Sequence, residues 1–419
     1  MDRGKALPSD SPCNPLFAWC ASLCFIWLPC ATHADIVTDW NEKAAAIMEA
    51  EKVTRGPNVT RTFAIMHIAM FEAVNATSNR YRPYLASQIN ALGASSEAAA
   101  HAAARRTLTE LFPKQKAVVD TAYDMGMAAV PESSAKSAGI VAGEKAGAFI
   151  LDERKADGIS SQSAYRPATS PGVYVPTALP VFTNFANVKP FTLTSAAQFR
   201  PGPPAKLGSA VWARDYNETR RLGGAQSTIR TAWQSETARF WQALAQLAWN
   251  EAARGLVVSK PLPLDKSARL FAHLNVAMFD TGLAIFDTKY THGFWRPITA
   301  IRNGDRDSND ATERDPEWAP LIDTPMHPEY PCAHCGSSAA GATVLKSVFG
   351  AGALPEFTVT SAAMPGVMHK YTSIQELDAE IGIARIWGGV HFRNSNEVGS
   401  ALGAKVAEHV LQSYLQPVH

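Results

Sequence analysis

The stretch "RTFAIMHIAMFEAVNAT", residues 61–77, decides the fold class, because its apolar residues recur at intervals of three and four positions. That spacing gathers them along one side of an α-helix, whereas a half-buried strand alternates apolar and polar residues. The same period is present in "WNEKAAAIMEAEKV" at residues 40–53 and in alanine-rich segments at residues 95–111 and 133–154. The sequence therefore predicts a helical protein.

The helical period returns in the second half of the chain, at residues 209–222, 229–257 and 265–290. Residues 159–204 are instead rich in Pro, Thr, Ser and aromatic residues, which cannot propagate a regular helix, so they form either a long ordered loop or a linker. We predict an all-α fold, built as one multi-helix bundle or two packed bundles. An N-terminal helical region, residues 35–204, would end in this loop, and a C-terminal helical region would cover residues 205–419.

The first 34 residues are typical of a secretory signal peptide. Arg3 and Lys5 precede the apolar run "PLFAWCASLCFIWLPCATHA", which ends in small residues before Asp35. We expect cleavage near Ala34 and export to the periplasm or the medium, with an uncleaved signal anchor as the alternative. A stable membrane span in the mature chain is not expected.

Charge is balanced over the chain, with 39 Lys and Arg against 38 Asp and Glu. No overall field would recruit nucleic acid or an anionic membrane, so we expect no nucleic-acid partner, and any anion site must be local. The sequence is compatible with a homodimer.

Three clusters in the C-terminal region suit a highly charged oxyanion. In "KYTHGFWRP", Lys289 and Arg296 stand at opposite ends of an aromatic turn, where they grip one anion or form a solvated pair. His334 precedes or begins a small-residue helix, whose free N–H groups favour an anion. In "ARIWGGVHF", Arg385 and His391 lie in an apolar segment, where a buried charge needs a partner. His391 is alternatively a satisfied core histidine.

The stretch "HPEYPCAHCGSS", residues 327–338, holds two histidines and both cysteines that lie outside the signal segment. A zinc site is one interpretation, although structural zinc sites usually draw ligand pairs from two segments. A redox pair is another, although C-x-x-C redox motifs expect a βαβ setting. The remaining interpretations are a disulfide that closes the helix start, or two buried thiols.

The spacing of these residues resembles the superfamily of vanadium-dependent haloperoxidases and type 2 phosphatidic acid phosphatases. Its signature is Lys-x6-Arg-Pro, then Pro-Ser-Gly-His, then Ser-Arg-x5-His. The corresponding stretches here are residues 289–297, 331–334 and 384–391. The flanking "FWRPITAIRNGD" and "HPEYP" are similar to the haloperoxidase branch.

The resemblance implies a role for each matched residue. His391 would bind vanadium apically, or attack phosphorus in a phosphatase, and His334 would manage protons. The oxygens of vanadate, for which phosphate would compete, would be bound by the remaining members of the motif, which are Lys289, Arg296, Cys332, Ala333 and Arg385.

Some positions depart from the signature. Cys332 and Ala333 replace its Ser and Gly, and Ala384 replaces its second Ser. A thiol is a weaker donor than a hydroxyl, and alanine resists some glycine conformations. Where relatives often have an aspartate four residues after the nucleophile, this chain has Ser395, with Glu397 two further on, so no carboxylate partner for His391 is identified.

The function that the resemblance implies is that of a vanadium-dependent haloperoxidase, which oxidises halide with hydrogen peroxide. The first alternative is an acid phosphatase or lipid phosphate phosphatase, which acts on phosphate esters through a phosphohistidine. The second is a noncatalytic oxyanion-binding relative.

Overall fold

Helices dominate the computed structural model, which describes residues 35–53, 55–85 and 89–418. The predicted signal peptide, residues 1–34, lies outside these residues. The helices of the described part are α1 (Ile36–Ala50), α2 (Gly56–Ala76), α3 (Ser96–Leu111), α4 (Lys116–Ala128), α5 (Ser134–Arg154), α6 (Ala210–Gly223), α7 (Ala232–Phe240), α8 (Ala245–Ser259), α9 (Leu264–His292), α10 (Pro297–Arg302), α11 (Ala333–Phe349), α12 (Ile374–Trp387) and α13 (Arg393–Ser413). The strands β1 (Phe357–Thr360) and β2 (Met368–Tyr371) pair antiparallel, with Phe357 opposite Tyr371. The all-α prediction is confirmed.

Helix α9 lies at the centre of the fold. Between Ser267 and Lys289 every residue of this helix except Arg269 and Gly282 is buried, as expected of a helix surrounded by protein. Helices α2, α11 and α13 pack against it, and its side chains Phe271, Leu274 and Phe279 are fully buried. Among the described residues, no helix is long and apolar enough to cross a bilayer.

Residues 155–209 form an ordered loop that contains no α-helix or strand. Asp280, buried within α9, accepts hydrogen bonds from the backbone N–H groups of Phe191 (2.8 Å) and Thr192 (2.7 Å). A buried carboxylate needs such donors, and here the loop supplies them. Of the two interpretations of this proline-rich segment, the structure therefore supports the ordered loop. The division of the chain at residue 204 stays a prediction.

The same loop pairs with the turn that follows α9. The N–H of Tyr174 donates to the carbonyl of Gly293 (2.6 Å), and the N–H of Trp295 donates to the carbonyl of Gly172 (3.0 Å). Gly293 ends α9 with φ of 55°, in the left-handed region that glycine adopts readily. The turn that leads to Arg296 is thus held on one side by the loop.

The helical stretch predicted over residues 229–257 is two helices in the structure. Between α7 and α8 the chain bends at residues 241–244, a segment that we call the 241–244 bend. There the carbonyl of Trp241 accepts a hydrogen bond from the side chain of Arg385, and the carbonyl of Ala243 accepts one from the side chain of His334. The break therefore has a tertiary cause.

Candidate active site

The end of α9 and the start of α10 position two buried cations against one short segment. Lys289, in the last turn of α9, donates through Nζ to the carbonyls of Pro328 and Glu329, both at 2.8 Å. Arg296, the residue before α10, donates through Nε to the carbonyl of His327 at 2.8 Å. Both side chains are at most 1% exposed. The two ends of the Lys-x6-Arg motif therefore converge on residues 327–329.

His391 lies just beyond α12, after the tight Gly388–Gly389 turn. Gly389 has φ of 74°, and a Cβ there would lie 2.3 Å from the carbonyl oxygen of Gly223, so the close approach of α6 requires glycine. Nδ1 of His391 is 2.8 Å from Oε1 of Glu329, and Nε2 is 3.2 Å from Nη1 of Arg296.

These contacts select a tautomer for His391. Oε1 of Glu329 also accepts the N–H of Phe392 (3.0 Å), so this oxygen carries no proton of its own. Nδ1 of His391 then carries the proton and donates it to Glu329. Nε2 keeps its lone pair and accepts from Arg296, so Nε2 is available as a ligand or nucleophile.

Glu329 is the functional residue that the sequence analysis missed. A carboxylate partner was expected after His391, near Ser395 and Glu397, whereas the observed carboxylate comes from the "HPEYP" stretch before α11. Ser395 Oγ is only at 3.4 Å from His391 Nδ1, and Glu397 is exposed. Burial raises the pKa of Glu329 to about 7, against an ordinary value of 4.5, while the charges of Lys289 and Arg296 act in the opposite direction.

Arg385 and His334 are held by the 241–244 bend. Nη1 of Arg385 donates to the carbonyl of Trp241 at 2.7 Å. Nε2 of His334 is 3.1 Å from the carbonyl of Ala243. A carbonyl can only accept, so His334 carries its proton on Nε2 and has a lone pair on Nδ1. Burial, followed by the charge of Arg385, holds the pKa of His334 well below its ordinary value, which keeps this ring neutral.

The charges of the three basic residues act on both histidines of the site. After burial, the charges of Arg296, Lys289 and Arg385 are the largest influences that lower the pKa of His391. The same three cations also lower the pKa of His334. All five predicted residues that carry ionisable side chains therefore lie in one cluster.

This cluster has more cations than anions. Lys289, Arg296 and Arg385 face the single carboxylate of Glu329, and a buried charge without a partner is costly. Burial lowers the pKa of Arg296 to about 10, and burial together with Arg296 lowers that of Arg385 to about 9. The same two causes lower the pKa of Lys289 well below its ordinary value, so a bound anion would favour its charged form. Nε of Arg385 is a buried donor with no acceptor among the described residues. These groups fit a multiply charged oxyanion.

Helix α11 adds backbone donors to the same place. Its first turn leaves the N–H groups of Ala333 and His334 without a protein acceptor in the described part of the chain. The helix dipole favours an anion at this end. Ala333 and His334 are only half-buried, whereas the three cations and His391 are at most 2% exposed. Solvent therefore reaches the cluster from the α11 side.

A disulfide joins Cys332 to Cys335 and closes the start of α11. Sγ of Cys332 accepts the N–H of Cys335 (3.2 Å) as a helix cap, and the N–H of Cys332 donates to the carbonyl of Ser395 (3.0 Å). In this form Cys332 has no S–H to donate, which removes the side-chain contact suggested by the resemblance. Neither sulfur is a thiolate that could bind zinc, and the described residues contain no group of three or more His, Cys, Asp or Glu able to hold a metal ion.

His327 completes the surroundings of Arg296. Its Nδ1 is 2.9 Å from Nη2 of Arg296, and its ring packs edge-on against Phe286. Burial, followed by the charge of Lys289, lowers the pKa of His327 well below its ordinary value, so this ring adds no further positive charge. In the sequence, His327 suggested only a zinc ligand, and its contact with Arg296 was not predicted.

Comparisons with known proteins show which family the C-terminal region resembles. Residues 269–419 match the family described as the VCPO second helical-bundle domain. A vanadium chloroperoxidase from Curvularia inaequalis is 27% identical over a stretch that covers 37% of this chain and 30% of that protein. The chain thus matches less than a third of the length of this curated relative. These findings confirm the resemblance to the haloperoxidase branch.

Solved structures share the fold over most of the chain. A bacterial vanadium-dependent iodoperoxidase superposes with a TM-score of 0.76 and 23% identity, and the match covers 92% of this chain and 97% of that one. The holo form of a bacterial vanadium-dependent chloroperoxidase gives a TM-score of 0.69 at 15% identity, covering 86% of this chain and 92% of that one. At these identities the likeness shows the fold alone.

Proposed function

We propose that this chain, whose C-terminal region resembles the haloperoxidase branch, is a vanadium-dependent haloperoxidase-like enzyme that oxidises halide with hydrogen peroxide. The observation that carries the proposal is Nε2 of His391. Its lone pair is fixed by Glu329 on the other ring nitrogen, and it lies within a cluster of three buried cations. A metal oxyanion that accepts a nitrogen ligand and also needs its charge neutralised fits this donor set.

The residues that would hold vanadate follow from their donors. His391 would supply the metal ligand, Lys289, Arg296 and Arg385 would neutralise the oxygens, and the first N–H groups of α11 would donate to them. Vanadate, when bound, supplies a Lewis acid that polarises peroxide towards halide, so no electron needs to pass through the protein. The cations require no reorganisation during this reaction, because the fold already holds them in place.

His334 would manage the protons. Its Nε2–H donates to the carbonyl of Ala243, which leaves the Nδ1 lone pair to accept a proton from hydrogen peroxide and later return it to the hydroxide that leaves as water. The lowered pKa keeps the ring in its neutral, proton-accepting form. His334 also lies at the half-buried side of the cluster, where the substrates would enter.

A phosphatase is the second candidate, because the same groups fit phosphate. Nε2 of His391 would attack phosphorus to form a phosphohistidine, and His334 would protonate the leaving alcohol. The observation in favour of a third candidate, a noncatalytic oxyanion-binding protein, is the disulfide that removes a side-chain donor at Cys332.

One set of assays separates the three functions. The purified protein, with and without added vanadate, is tested for peroxide-dependent bromide and iodide oxidation and for phosphate-ester hydrolysis, with His391→Ala as the inactive variant and His409→Ala as its control. We expect halide oxidation only with vanadate and only with His391 present. Hydrolysis that vanadate inhibits would instead support the phosphatase, and oxyanion binding without turnover would support the noncatalytic relative.

We also propose export of the chain. The support is the segment at residues 1–34, with its basic start and its apolar run. Sequencing the N-terminus of protein recovered from the periplasm or the medium tests this, and a mature chain that begins near Asp35 is expected.

A further inference from the structure

We infer that Glu380 is a positioning residue for the oxyanion site, acting through Trp241, an assignment that rests on the proposed function. Glu380 lies on α12, outside all three motifs, and its side chain is 15% exposed. It does not contact any of the five ionisable site residues. Its connection to the site runs through the 241–244 bend.

Three donors converge on one oxygen of Glu380. Oε1 accepts from Nε1 of Trp241 (2.8 Å), from the hydroxyl of Tyr371 (2.7 Å) and from Nδ1 of His369 (2.6 Å). Burial acts to raise the pKa of Glu380, but these bonds bring it below the ordinary value, so the carboxylate is ionised at neutral pH. The hydrogen bonds are therefore charge-assisted, which makes them stronger than bonds between neutral groups.

Helix α12 grips Trp241 at two points. Glu380 binds the indole of Trp241, and Arg385, five residues later, donates to its main-chain carbonyl at 2.7 Å. Trp241 is fully buried, so its indole cannot exchange Glu380 for water. The orientation of that carbonyl, and with it the guanidinium of Arg385, is therefore tied to the bond at the indole.

The same bend orients the second site residue. Ala243 is two residues beyond Trp241, and its carbonyl is the partner of Nε2 of His334. This contact selects the tautomer in which His334 can accept a proton at Nδ1. Glu380 thus helps to orient both Arg385, which would bind the oxyanion, and His334, which would carry the proton, although it contacts neither of them.

Loss of this bond should weaken oxyanion binding more than it weakens the fold. Outer partners that orient the ligands of a metal typically change affinity by about tenfold to hundredfold when they are removed. We therefore expect Glu380→Ala to raise the dissociation constants of both vanadate and phosphate by about tenfold. Glu380→Gln keeps an amide oxygen that accepts from the indole, so it should restore most of the affinity.

The experiment measures vanadate and phosphate binding by calorimetry for Glu380→Ala, Glu380→Gln, Trp241→Phe and the double variant Trp241→Phe with Glu380→Ala. Trp241→Phe removes the indole N–H and keeps the main-chain carbonyl. If the bond is the route, the double variant loses no more affinity than either single variant. The matched control is Glu376→Ala, an exposed carboxylate one helical turn earlier whose hydrogen-bond partner among the described residues is Thr372.

The outcomes separate this assignment from the proposed function. Unchanged dissociation constants in folded Glu380→Ala, or losses that add in the double variant, overturn the role of Glu380 and leave the proposed function intact. A wild-type protein that binds neither oxyanion overturns both. Should Glu380→Ala not fold, Glu380→Gln and Trp241→Phe decide alone: near-native affinity for the first and weakened affinity for the second support the assignment, and equal affinities contradict it.

Discussion

Nδ1 of His391 lies 2.8 Å from the Glu329 carboxylate, although the two residues are 62 positions apart in the chain. The pair assigns the proton to Nδ1 and leaves Nε2 as the reactive nitrogen. It also places the one carboxylate of the cluster behind the histidine and away from Nε2, where it does not compete with an oxyanion for the lone pair.

Removal of the Glu329 charge should weaken vanadate binding without abolishing it. Glu329→Gln retains an acceptor for Nδ1–H but makes the imidazole a poorer donor of electrons, so we expect vanadate affinity and halide-oxidation rate to fall by about tenfold. Calorimetry and steady-state kinetics measure the two effects. Glu397→Gln, at the exposed carboxylate that follows His391 in sequence, serves as the control. A loss in the control with none in Glu329→Gln would assign the partner to Glu397.

Arg385 is expected to reduce the stability of the oxyanion-free protein. Its guanidinium is buried beside two other cations and has an unpaired Nε, so Arg385→Met should raise the free energy of unfolding by about 1 to 3 kcal/mol. The same variant should lose most of the stabilisation that added vanadate gives. Denaturant titrations without and with vanadate test the expected gain in stability and the expected loss of stabilisation by vanadate, with the exposed Arg221→Met as control. A less stable variant would mean that the hydrogen bond to Trp241 outweighs the charge repulsion.

The disulfide should stabilise the fold and limit anion binding. The double variant Cys332→Ser with Cys335→Ser restores a hydroxyl that both caps α11 and donates to an oxyanion, so we expect tighter vanadate binding. It should also unfold more easily, by about 2 kcal/mol. Mass spectrometry of the wild-type chain before and after reduction should show a gain of two hydrogens. Weaker binding by the variant would instead assign to the disulfide the ordering of the turn that carries His334.

The protein should lose stability in mild acid because of two histidines far from the site. Burial lowers the pKa of both His67 and His273 to about 3, against 6.5 when unfolded. At these two sites the unfolded chain therefore binds more protons between these values, so the contribution of each histidine to stability is complete above pH 6.5 and falls by about 1.4 kcal/mol per pH unit as pH decreases towards 3.

A single substitution isolates one of the two contributions. His67→Gln should lower the loss between pH 7 and pH 5 by about 2 kcal/mol, because the amide oxygen still accepts from Asn41 and does not titrate. Denaturant midpoints at a series of pH values provide the measurement, with half-buried His409→Gln as the control. An unchanged slope in His67→Gln would contradict the assignment.

Most of the helices follow from the sequence because the apolar period coincides with burial. The segments predicted at residues 95–111 and 133–154 are α3 and α5, with bounds that differ by one residue at the start. The bend after α7 could not be predicted in the same way. The sequence around Trp241 contains no Gly or Pro, and the break is stabilised by Glu380, Arg385 and His334, which are distant in the chain.

The candidate site shows the same division. Lys289, Arg296, His334, Arg385 and His391 were predicted because their spacing within each motif is local. Glu329 escaped because a carboxylate can reach an imidazole from any segment that the fold brings near, and no periodicity marks such a residue. At Cys332 the side chain forms a bond to Cys335 that the signature does not contain, and the contact of Cys332 with an oxyanion stays a prediction.

The pairing of Gly172 and Tyr174 with the turn before Arg296 makes the proline-rich loop part of the frame of the pocket. Exchanging this loop for that of a relative would therefore change the pocket as well as the surface. Residues 172–174 and the Asp280-bound residues 191–193 would have to be matched to the turn of the recipient protein, whereas the exposed residues 162–164 and 166–171, which precede both segments, tolerate grafted sequence. A chimera that replaced residues 172–174 would alter the position of the Arg296 guanidinium although all three motifs stayed unchanged.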